Sequence, residues 1–144
     1  MLNNNLQNAR EDLEMTQEEL GYVFGIHKST ISGWENGHSV IPFKKLTKFC
    51  NIYDFSLDYV CGFSRRNINY SKINTDKKFI GKKLKEVRKK IGLTQNQVAD
   101  ECSISQTTYS TYESGLYLVS TMTLYTICKN HNLSMDLVLG RTKK

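Results

Sequence analysis

Leu6, Ala9 and Leu13 recur every three to four residues through a polar N-terminal stretch, with Leu2 in the same register. That spacing predicts an amphipathic helix over about residues 3–13. Ile80, Leu84, Val87 and Ile91 draw the same stripe and predict a helix over about 79–91. Behind each stripe comes a threonine, Thr16 or Thr94, followed three residues later by Glu19 or Gln97. This is the capping-box pattern, and it starts a second helix in both places. Gly25 and Ser103 mark a tight turn, after which a third helix is expected over about 28–36 and 106–114. Gly37 and Gly115 are placed to stop it. Pro42 suits the first turn of a fourth helix, and "SLDYVCG" and "SMDLVLG" each predict a short serine-capped fifth.

The two sets of elements are one pattern written twice. At an offset of 78 residues, Leu6–Gly62 aligns with Leu84–Gly140 without gaps, and 15 of the 57 pairs are identical. Substitutions such as Leu13/Ile91, Trp34/Tyr112 and Phe55/Leu133 keep the character of the position. A duplication follows, and each copy of about 60 residues is enough for a small helical core. The expected division is a first domain over 1–64, a linker over 65–78 and a second domain over 79–142. "SRRNINYSKINTDKK" has no helical stripe and is polar and basic, hence its reading as a linker. Within each copy, a three- to four-residue turn joins the second helix to an amphipathic third, which makes a helix-turn-helix. Gly21 and Ala99 would let those two helices cross closely, with Leu20, Val23 and Ile31, or Val98, Ile104 and Tyr109, filling the inner face.

Charge and composition narrow the chemistry. The net charge of +6 is uneven: −3 over residues 1–64, +4 over 65–78 and +5 over 79–144. A polyanionic partner would therefore be drawn mainly to the linker and the second copy. The polar, acidic N-terminus is the opposite of a secretory signal, and no apolar run is long enough to span a membrane. A cytoplasmic protein is expected; its four cysteines (50, 61, 102 and 128) lack CxxC spacing, and Cys50, Cys61 and Cys128, in apolar surroundings, read as buried free thiols. His27, His38 and His131 are scattered and read as surface or capping residues. No metal cluster, cofactor-binding glycine loop or nucleophile with a base is evident, so neither a cofactor nor an enzyme is expected.

"TQEELGYVFGIHKSTISGWENG" (16–37) and "TQNQVADECSISQTTYSTYESG" (94–115), each closed by its fifth-helix signature, resemble the phage-repressor (Cro/CI, or XRE) family. The resemblance spans about 120 of the 144 residues. It implies an all-α chain of two tandem five-helix, lambda-repressor-like helix-turn-helix domains that binds double-stranded DNA. The start of the third helix would enter the major groove, placing Lys28, Ser29 and Ser32, and Gln106, Thr107, Ser110 and Thr111, against the bases. Gln17 and Gln95 would hold a phosphate and brace that helix, with a local capping network as the alternative. Thr30 and Thr108 would position on phosphate. Arg10–Glu35 and Arg88–Glu113 would be partly buried ion pairs tying the first helix to the end of the third. Trp34 and Tyr112 share a position that could touch DNA or pack under the fourth helix.

The function implied is a sequence-specific regulator of transcription, with repression as the simplest mechanism. The two recognition helices differ, "HKSTISGWE" against "SQTTYSTYE", so a site with two unlike halves is expected. Glu11, Asp12, Glu14, Glu18 and Glu19 crowd the first copy and would repel phosphate. The alternative is an antitoxin- or adaptor-like protein in which that acidic domain mediates homodimerisation or binds a protein partner, leaving DNA to the second.

Overall fold

Side-chain caps set the helix starts. Thr16 accepts a hydrogen bond from the backbone of Glu19 at 3.1 Å, and the Glu19 carboxylate accepts one from the backbone of Thr16 at 2.9 Å. Thr94 and Gln97 repeat the exchange at 3.2 and 2.9 Å. In the computed structural model, which describes residues 4–144, ten α-helices result, with no β-strand among those residues. The chain divides into two compact units, 1–69 and 70–144, each with five helices.

The first unit runs α1 (Leu6–Asp12), α2 (Gln17–Phe24), α3 (Lys28–Glu35), α4 (Phe43–Tyr53) and α5 (Leu57–Val60). Its core holds Leu6, Ala9, Leu20, Phe24, Ile31, Trp34, Leu46, Phe49 and Leu57, all buried. Leu2, expected on the first stripe, lies outside the described residues. Val23, expected inside, is only half-buried, and Phe24 takes the interior position. Trp34 stands edge-on to Phe24 at 6.4 Å, and Phe24 in turn meets Phe49 of α4. A methyl group on Gly21 would lie 2.6 Å from the carbonyl of Ile26, so α2 closes on the following turn only because no side chain intervenes.

The second unit runs α6 (Lys77–Ile91), α7 (Gln95–Glu101), α8 (Gln106–Ser114), α9 (Thr121–Asn130) and α10 (Met135–Val138). Val98, Ala99 and Tyr109 are buried as expected, while Ile104 is half-buried. A Cβ on Gly81 would come within 2.4 and 2.5 Å of the carbonyls of Glu113 and Tyr112, so α6 lies directly on the end of α8. Glu101 and His131 tie α7 to the end of α9 at 2.9 Å.

The stretch expected as a linker is largely folded. Asn67 turns back onto the first unit, accepting from the backbone of Ser56 at 2.7 Å and donating to the carbonyl of Asp54 at 3.0 Å. Tyr70 and Ile73 are buried in the second unit, and α6 begins at Lys77 with Asp76 as its cap. Backbone bonds join Ser71 to Thr142 at 2.7 Å and an isolated bridge pairs Tyr70 with Lys143. Arg141 holds this arm in place. Its guanidinium donates to Asp136 at 2.7 Å and to the carbonyl of Ser71 at 2.8 Å, and lies 5.4 Å from the centre of the Tyr70 ring. A composition-based reading misses this because only two side chains, Tyr70 and Ile73, are buried in a segment made mostly of polar residues.

Candidate nucleic-acid interface

Each third helix is held from behind by the same three side chains. Arg10 of α1 donates to both oxygens of Glu35, at 2.6 and 3.0 Å, and to the carbonyl of Met15 at 2.7 Å. Gln17, in the first turn of α2, adds its amide to Glu35 at 3.0 Å. Arg88, Gln95 and Glu113 repeat this at 2.7, 3.1 and 3.0 Å, with Arg88 also on the carbonyl of Leu93. Both carboxylates are nearly inaccessible. Burial pushes the Glu113 carboxyl upward, but bonds from Arg88, Tyr109 and Gln95 outweigh it and hold its pKa below the ordinary value. Hydrogen bonds to the two glutamates likewise raise the Arg10 and Arg88 guanidiniums. Gln17 and Gln95 thus bond across to α3 and α8, outside the Thr–Glu and Thr–Gln capping boxes.

The front of each helix is polar and open. Lys28, Ser29 and Thr30 are exposed at the start of α3, with Ser32 half-buried one turn on. Gln106, Thr107 and Thr108 are exposed on α8, with Ser110 and Thr111 half-buried. Among the described residues, the side chains of Lys28, Gln106 and Thr107 make no hydrogen bond or ion pair, so their donors and acceptors face water alone. Others are engaged within the helix. Thr111 donates to the carbonyl of Thr108 at 2.5 Å, and Thr108 shares a bond with the cap residue Ser105 at 3.0 Å.

The copies differ in how this surface is capped and flanked. His27 caps α3, its Nδ1 accepting from the backbone of Ser29 at 3.1 Å, with the Ser29 hydroxyl 2.9 Å from the same nitrogen. Tyr22, 91% exposed, stands beside Glu18, Ile26, His27 and Lys28, where the second copy has Asp100. Sequence reasoning passed over Tyr22, although its place between Leu20 and Phe24, off their shared face, was the available signal. Trp34 is buried but Tyr112 is only half-buried, edge-on to Tyr109, so the shared aromatic position serves each unit differently.

Among the described residues no group of three or more His, Cys, Asp or Glu is placed to hold a metal ion. No helix there is long and apolar enough to cross a membrane. Burial, with a smaller effect of the Glu101 charge, pushes the Cys102 thiol up to about 11.

Comparison with known proteins agrees with the repeat. The chain is 37% identical over 62 residues to the HTH-type transcriptional regulator ImmR of Bacillus subtilis, covering 43% of this chain and 49% of that protein. It is 34% identical over 59 residues to the uncharacterized HTH-type transcriptional regulator YobD of the same organism, covering 41% and 53%. The match thus spans about half the length of either relative. Among solved structures, the clp gene regulator ClgR of Corynebacterium glutamicum aligns with a TM-score of 0.41 at 27% identity, over 44% of this chain and 82% of that one. The helix-turn-helix family HTH_3 matches twice, over residues 6–60 and 84–138, and with these two segments filling most of its length the chain belongs to that family.

Proposed function

We propose that this chain is a sequence-specific, double-stranded DNA-binding regulator of transcription whose α3 and α8 each read a major groove. Blocking access to a promoter is the simplest mechanism by which it would act, as a repressor. The observation that carries this reading is the contrast between the two sides of α8. Its back is clamped by the Arg88–Gln95–Glu113 cluster, whereas Gln106 and Thr107 stand exposed with unspent hydrogen-bonding groups at its start. A glutamine so placed can bond adenine through two atoms, and a threonine methyl can meet thymine. On α3, Lys28 would supply a donor for guanine, and Ser32 would reach a base or phosphate. Thr30, Thr108 and the starts of α2 and α7 would position on the backbone, the remaining amide protons of Gln17 and Gln95 included.

A second reading, an adaptor whose first unit binds protein, draws on exposed Glu11, Asp12, Glu14, Glu18 and Glu19 and on the exposed Tyr22. Paired substitutions separate the two. Gln106→Ala with Thr107→Ala, and separately Lys28→Ala with Ser32→Ala, should each weaken binding to the cognate duplex by about 1–3 kcal/mol for every base no longer read. Binding to random duplex should hardly change. If only the α8 pair matters in a titration of full-length variants, the adaptor reading gains; if neither does, the groove assignment fails.

A further inference from the structure

Helix α6 is far more basic than its counterpart α1, and its charges are not scattered. Lys78, Lys82, Lys85 and Lys89 recur at steps of four, three and four residues, and all are exposed. On a helix of 3.6 residues per turn they fall within roughly 60° of one another and extend over about 16 Å. Lys82, Lys85 and Lys89 lie off the buried face of Ile80, Gly81 and Leu84, while Lys78 sits against Gly115 at the end of α8. The ion pair within α6 uses Lys83 and Glu86, at 3.4 Å, to one side. Among the described residues none of the four stripe lysines has an acidic partner. Four ammonium groups held close together repel one another, which an isolated helix face does not favour. The first copy carries no such feature: Asn4, Gln7 and Glu11 occupy the positions of Lys82, Lys85 and Lys89.

We infer that this lysine face is a second DNA-binding surface of the 70–144 unit, holding the phosphate backbone of a duplex without reading its sequence. The inference goes beyond the recognition helices and does not require them to be sequence-specific. Two observations favour DNA over a protein partner. Stable protein interfaces have an apolar centre, yet among the described residues the exposed large apolar side chains (Tyr22, Ile52, Leu116, Tyr117 and Leu137) all lie outside α6. A phosphate backbone needs no apolar partner, because its attraction comes from release of condensed counterions. The acidic face of a second copy is also partly spoken for. Glu11 accepts from Gln7 at 2.8 Å, Asp12 from Tyr59 at 3.3 Å, and Glu19 serves the α2 cap.

The test is the salt dependence of binding to a random-sequence duplex of about 20 base pairs, with full-length protein. Lys82→Gln, Lys85→Gln and Lys89→Gln together should flatten the log–log salt slope by up to about 2.7, at ~0.9 for each phosphate no longer neutralised. Between 50 and 200 mM salt, the native chain would then lose on the order of 40-fold more affinity than the variant. A charge-matched control, Lys44→Gln with Lys72→Gln and Lys144→Gln, should retain most of the slope. Lys82→Gln with Lys85→Gln, which leaves the last turn of α6 intact, should give about two-thirds of the effect. An unchanged slope in folded variants would overturn the inference and leave the stripe as solvated surface. So would a variant that alters self-association in sedimentation while binding DNA normally, which would assign the face to a second copy. Loss of sequence preference in the native chain would bear on α3 and α8 and leave this outcome readable.

Discussion

Arg141→Ala is expected to destabilise the second unit by about 3–5 kcal/mol, the cost of removing one partner from a buried ion pair. The substitution acts in three places at once. Asp136, fully buried, loses the cation it faces at 2.7 Å, the carbonyl of Ser71 loses its donor, and the Tyr70 ring loses its cover. The arm over 70–73 would detach, taking the buried Tyr70 and Ile73 with it. The chain has one tryptophan, Trp34, and it is buried in the first unit. Urea unfolding followed by far-ultraviolet circular dichroism should therefore show part of the transition moved to lower denaturant. Trp34 fluorescence should report an unchanged midpoint. Adding Asp136→Asn should recover part of the loss, since the charge left in the interior is then removed. Full stability in Arg141→Ala would mean the arm is not held by this pair.

The Arg–Glu clusters carry the second large effect. Arg88→Ala should cost about 3 kcal/mol, at the low end for a buried pair because Gln95 and Tyr109 still donate to Glu113. Arg10→Ala should cost a similar amount in the first unit, and Trp34 fluorescence isolates it. Acid supplies an independent check. Glu113 has a lowered pKa in the folded state, so its contribution is present above the unfolded carboxylate value of ~4.3 and is lost as pH falls through the folded value. Native protein should lose stability below about pH 4, and Arg88→Ala should lose less over the same interval because much of the depression is already gone. Parallel pH curves for the two would contradict the assignment.

Much of this architecture was legible because short-range chemistry wrote it. The capping boxes at Thr16 and Thr94, the serine caps of α5 and α10 and the left-handed Gly115 are each local, and each landed where the sequence put it. The duplication added a second test of every position, which is how Arg10/Arg88 and Glu35/Glu113 stood out as pairs. Features belonging to one copy had no such support. Arg141 aligns with Phe63, so the repeat pointed to nothing there, and its partner Asp136 passed as a mere element of the fifth-helix signature. Residues 65–78 defeated a composition argument for a related reason. A segment fastened by side-chain and backbone bonds from Asn67, Ser71 and Arg141 needs little apolar residue of its own.

The central claim is that two different third helices read two different stretches of duplex. Selection of bound sites from a random duplex pool, with the full chain at near-physiological salt, tests it most directly. Because "HKSTISGWE" and "SQTTYSTYE" present different side chains, two unlike motifs should be enriched together at a reproducible spacing. A single motif would confine DNA to one unit and contradict the paired reading. Salt-sensitive binding with no enriched sequence would contradict specific recognition altogether.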